Sequence, residues 1–89
     1  MKKIIIADDH PMTLNGIKTY LESLNYNVIG TFSNGEKAFE AVINLKPDFA
    51  ILDLNMPEMN GLNVLEELKK TDSETKIIIY TMYQESSFF

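Results

Sequence analysis

The chain has 89 residues, a net charge of -5 and a pI near 4.7, with 45% hydrophobic and 24% charged residues. That is room for one domain of ordinary globular composition, and its acidic balance argues against direct nucleic-acid binding, which needs Lys and Arg to neutralise phosphates. With no cysteine present, disulfides and thiolate metal sites are excluded, and oxygen-ligated divalent cations are the natural partners.

The chain opens on Met1-Lys2-Lys3 and three isoleucines, but Asp8-Asp9 ends this apolar run too early for a secretion signal. No stretch approaches transmembrane length, so no membrane association is expected and the cytoplasm is the expected compartment. Lys3 to Ala7 is apolar at consecutive positions, as in a strand covered on both faces. Pro11 suits a first helical turn, and Leu14, Ile17, Leu21 and Leu24 recur at helical spacing. Asn25-Tyr26-Asn27 breaks that helix. Val28 to Phe32, interrupted by Gly30, reads as a weaker strand at a sheet edge.

Ser33 and Asn34 offer caps for a second helix with Ala38, Ala41, Val42 and Leu45 inward, closed by Pro47. A third strand runs from Asp48 to Asp53. After a loop from Met56 to Gly61, Leu62, Leu65 and Leu68 mark one face of a third helix, whose Lys69-Lys70 end suits the negative pole of the helix dipole. The fourth strand is Lys76 to Thr81, and Gln84 to Phe89 reads as the start of a further helix. Short apolar runs alternating with amphipathic segments predict βα units and a doubly wound parallel sheet.

Asp8 and Asp9 follow the first strand and Asp53 ends the third. In a sheet of order 2-1-3-4 the strand order reverses between these two, and ligands bind outside the carboxyl ends of strands at such a point. Carboxylates gathered there repel by a few kcal/mol per close pair at an effective dielectric of about 20, so a cation must offset them. Mg²⁺ suits an all-oxygen site, and the sequence has no His or Cys cluster for softer metals. Each residue also has a plain reading. Asp9 could cap the first helix, Asp53 could be a loop acid, Thr81 a strand-end β-former, and Asn60-Gly61 turn chemistry. His10, the lone histidine, reads as a solvent-facing residue at the helix entrance, a metal or proton-transfer role being the lesser alternative. The functional reading gains from all these groups lying at one end of successive parallel strands.

Three features together resemble the response-regulator receiver domain of two-component signalling: the Asp8-Asp9 pair, the segment Asp53-Leu54-Asn55-Met56-Pro57 with Gly61 eight residues past the aspartate, and Thr81. The wording Asp8-Asp9-His10-Pro11 and Thr81-Met82-Tyr83 is most similar to the NarL/FixJ subgroup. The resemblance implies a flavodoxin-like (CheY-like) α/β fold. It also implies that Asp53 is the phosphoacceptor, that Asp9 and Asp53 ligate Mg²⁺ with Asp8 acting directly or through water, and that Asn55 lends its backbone carbonyl. Thr81 would contact a phosphoryl oxygen, and Asn55 and Tyr83 would tune the lifetime of the acyl phosphate. The implied donor is a sensor histidine kinase or a small acyl phosphate, and the switched output a DNA-binding domain. No catalytic turnover is implied.

Set against that family, residues 1–89 read as a receiver incomplete at its C-terminus, without a fourth helix, the lysine-bearing fifth strand, the last helix or an output domain. Lys76 cannot replace that lysine, since it starts the fourth strand, roughly 16 Å from the site at about 3.3 Å per residue. Impaired phosphotransfer is the expectation. An uncovered fourth-strand edge further predicts a homodimer or exchanged dimer, with Phe88 and Phe89 helping to cover the exposed face. The alternative function is a switch-deficient pseudo-receiver acting only as an interaction module. An aspartyl phosphohydrolase is a weaker third, because Asn55 stands where a second acid would be needed.

Overall fold

The computed structural model describes residues 1–81. The elements are β1 (Lys3–Ala7), α1 (Pro11–Ser23), β2 (Asn27–Phe32), α2 (Gly35–Leu45), β3 (Phe49–Asp53), α3 (Gly61–Leu68) and β4 (Lys76–Tyr80). All strand pairs are parallel and the order is β2-β1-β3-β4, as the doubly wound reading requires. β2 lies at an edge, and a bulge at Ile29 precedes its Gly30. Strand boundaries differ slightly from the sequence reading. Asp48 stays outside β3, its carboxylate accepting the Lys3 backbone N–H at 2.8 Å. Thr81 follows β4. Tyr83 and the segment from Gln84 to Phe89, with the roles expected of them, lie outside the described residues.

The core lies between one sheet face and α2 and α3. Ile5, Ala7, Ala50 and Leu52 from the strands meet Ala38, Ala41, Val42, Val64 and Leu68 from the helices. Side chains such as Ile5, Leu52 and Val64, at 0% exposure, each contribute about 1.5–3 kcal/mol relative to leaving them in water. Two inward assignments shift. Leu45 is exposed in the last turn of α2, and Leu62 is exposed while Val64 takes its inward place. The inward stripe of α3 is 61, 64, 65 and 68, an i, i+3, i+4, i+7 set; Leu62 sits two residues from Val64, about 200° around the helix. Leu24 is likewise exposed, as the C-cap of α1.

On the other face α1 packs against β1 and β2. Ile6, Ile51 and Ile78 form one transverse row in register across β1, β3 and β4. Exposure in that row rises from 0% at Ile6 to 48% at Ile78 as the strands leave the cover of α1.

The helix ends that face the loops are fixed locally. Asn34 caps α2 by accepting the Lys37 N–H at 2.9 Å. Asn60 and Asn63 form a reciprocal capping box at α3, a more specific role than turn chemistry. At Gly61 an added Cβ would lie 2.8 Å from the carbonyl oxygen of Asp53. Only glycine lets α3 start this close to the end of β3. Among the described residues no helix is long and apolar enough to cross a membrane.

Candidate functional site

Advancing two residues along the row of Ile6, Ile51 and Ile78 reaches Asp8, Asp53 and Tyr80. Asp53 is in register with Tyr80, and Asp8 prolongs β1 by donating its N–H to the Phe32 carbonyl at 3.0 Å. Period-two alternation places all three side chains on one sheet face. Asp8 and Asp53 are each 1% exposed, whereas Asp9, the next residue outward, stays open to solvent. Oxygens of Asp8, Asp9 and Asp53 and a ring nitrogen of His10 all lie within 4.8 Å of one another.

Asp8 is held from three directions. Its Oδ1 accepts both the backbone N–H and the ring Nδ1 of His10, each at 2.8 Å, and its Oδ2 accepts the hydroxyl of Tyr80. Burial pushes the Asp8 carboxyl up, but the Tyr80 and His10 donors outweigh it and leave it below the ordinary carboxylate range. Tyr80 responds in the opposite sense. Its burial and its bond to Asp8 raise the phenol well above its usual value, so it remains a donor.

Asp53 differs. Burial raises its carboxyl, and the charges of Asp8 and Asp9 raise it further, against the opposing Asn55 N–H at 3.2 Å and the His10 ring. A buried acid disfavoured in its charged form by two neighbouring carboxylates is a site that gains from a cation. The donor set of carboxylate oxygens suits Mg²⁺. Asp53 and the more open Asp9 have oxygens free to ligate, while both oxygens of Asp8 already accept protein hydrogen bonds. Asn55 extends the site: its side-chain amide donates to the Thr81 hydroxyl at 3.4 Å, tying the β3 loop to the end of β4. Lys76 lies in register with Phe49, at the opposite end of the sheet.

Two residues gain importance over their sequence reading. The His10 ring, although 60% exposed, turns into the cluster, with Nδ1 at 3.0 Å from Asp9 and 3.8 Å from Asp53. The Asp8 hydrogen bond and then the Asp9 charge raise its imidazole above its ordinary value. His10 is also the N-cap residue of α1, so Asp9 does not fill the capping role that was its plain alternative. Tyr80 is the second, and its signal in the sequence is its parity with Ile78 on a strand next to β3, visible only once register is assigned.

The family model described as the response regulator receiver domain matches residues 4–89. NarL, the nitrate/nitrite response regulator protein of Escherichia coli, is 39% identical over 89% of this chain and 37% of its own length. The Bacillus subtilis transcriptional regulatory protein YvfU is 39% identical over 100% of this chain and 45% of its own. The chain thus spans less than half the length of these curated relatives. Among solved structures, a LuxR-family DNA-binding response regulator from Staphylococcus aureus superposes with a TM-score of 0.89 at 29% identity, covering 100% of this chain and 75% of that one. With its sheet order, its strand-end acids and this match over nearly its whole length, the chain belongs to the receiver-domain family of two-component response regulators.

Proposed function

We propose that this receiver is a phosphoacceptor switch in which Asp53 takes a phosphoryl group from a sensor histidine kinase, with Mg²⁺ held by Asp9, Asp53 and the Asn55 backbone carbonyl. The observation that carries this reading is a buried Asp53 at the end of β3, within one cluster with Asp8, Asp9 and His10. When bound, the ion favours ionised Asp53 and neutralises charge on the transferring phosphoryl group.

The chain's own residues supply the rest. An Asp53 carboxylate oxygen forms the bond to phosphorus as the donor's bond breaks and its leaving group departs. Asp8, locked by Tyr80 and His10, acts through water and keeps the pocket acidic. Thr81, placed by the Asn55 amide, receives a phosphoryl oxygen. The site therefore accepts a phosphoryl group stoichiometrically, and the output it switches is DNA binding, the activity named for the similar Staphylococcus aureus response regulator. Exposed Ile78 and the outer edge of β4, which carries no further strand among the described residues, support self-pairing of two copies through that strand.

Acetyl phosphate with Mg²⁺ should add one phosphoryl group to Asp53, read by intact mass and abolished by Asp53→Asn. Mg²⁺ should also raise the unfolding temperature, as any ligand of the folded state does, and Asp9→Asn should remove that rise. Unchanged mass and unchanged stability with Mg²⁺ would refute the switch. A monomer in sedimentation at high micromolar concentration would refute the β4 pairing.

A further inference from the structure

The geometry points to His10 as a nitrogen ligand of the cation in this pocket, which makes the site selective for first-row transition ions such as Mn²⁺ over Mg²⁺. This rests on the metal site proposed above.

The spacing of donor atoms carries it. His10 Nδ1 lies 2.8 Å from Asp8 Oδ1, 3.0 Å from Asp9 Oδ1 and 3.8 Å from Asp53 Oδ2. In an octahedron with bonds of about 2.1 Å, adjacent donors stand about 3.0 Å apart and opposite donors about 4.2 Å. The Asp8 separation is the ring's own hydrogen bond; the Asp9 separation matches neighbouring ligands of one ion, the Asp53 separation falls between neighbouring and opposite, and all four atoms lie within 4.8 Å of one another.

The backbone supports the same placement. His10 occupies the extended N-cap position of α1, and its N–H is pinned to Asp8 at 2.8 Å. The ring is thereby turned back toward the strand ends and away from α1. When Nδ1 passes its proton to solvent, the ring keeping its other proton on Nε2, and gives the freed lone pair to an ion, Asp8 Oδ1 keeps that backbone bond, so no buried carboxylate is left without a donor. The ring is 60% exposed, so it can adjust to an incoming ion without opening a cavity.

The chemistry sets the selectivity. Mg²⁺ favours oxygen and gains little from imidazole, whereas first-row transition ions gain from an imidazole nitrogen, Mn²⁺ least and the later ions of the row increasingly. Were the ring instead a placeholder displaced by the ion, the pocket would show only the selectivity of its oxygen ligands.

His10 is the chain's one histidine, so an imidazole nitrogen on a bound ion can have no other origin. The untagged full chain should be titrated with Mg²⁺ and with Mn²⁺ by calorimetry, and its Mn²⁺ complex read by pulsed electron paramagnetic resonance. Wild type should show imidazole-nitrogen coupling and bind Mn²⁺ at least about tenfold more tightly than Mg²⁺. His10→Ala and His10→Gln should each lose the coupling and most of that preference, with Mn²⁺ affinity falling by a larger factor than Mg²⁺ affinity. Mn²⁺ bound without nitrogen coupling, and released by Asp9→Asn, would overturn the role of His10 while leaving the metal site standing. No binding of either ion would overturn both.

Discussion

Tyr80→Phe removes one oxygen and nothing else from a half-buried strand residue, so it isolates the bond from β4 to Asp8. The Asp8 side chain is 0% exposed, so water cannot replace the lost donor without opening the structure. A hydrogen bond to a charged group is worth about 1.5–3 kcal/mol, against about 0–1 for a surface ion pair. The structure therefore predicts a loss of about 2 kcal/mol at neutral pH in EDTA, or roughly 10 °C in Tm for a domain this small. Urea unfolding gives the value, and an unchanged m would show that the folded state remains compact. The pH dependence gives an independent check. Asp8 sits below its unfolded value of 3.8, so its stabilisation is complete above that pH and is lost as pH falls through the depressed native value. Without Tyr80 the native value rises and this acid-side loss shrinks. A loss below about 0.5 kcal/mol at neutral pH would refute the bond as a structural tie.

Asp53 has the opposite sign. Its native carboxyl lies above 3.8, so in EDTA its contribution improves as pH falls through that raised value and is fully gained below 3.8. Asp53→Asn should then stabilise the metal-free protein by about 1 kcal/mol at pH 7 and flatten that gain, measured by thermal unfolding across pH. Gly61→Ala should cost about 1–3 kcal/mol in urea unfolding, because its Cβ would lie 2.8 Å from the Asp53 carbonyl; it should weaken Mg²⁺ binding as well. Lys46→Gly should stabilise by up to about 1 kcal/mol in the same assay, since Lys46 caps α2 at φ 48° and ψ 56°, where a side chain is strained.

The sequence by itself determined the strand and helix order, the parallel sheet and the meeting of Asp8, Asp9 and Asp53. Apolar runs ending in acids carry that information within single elements, and parallel connectivity puts their ends on one side. It misjudged Leu45 and Leu62, because helical spacing gives a stripe without saying which edge of it faces the core. Tertiary structure alone decided the partners inside the pocket. Tyr80 reaches Asp8 because β4 pairs with β3 in the register that sets Tyr80 beside Asp53. His10 turns inward because Asp8 pins its backbone where α1 begins. The first depends on the alignment of strands distant in the chain and the second on a local turn between β1 and α1, and side-chain periodicity within one element encodes neither.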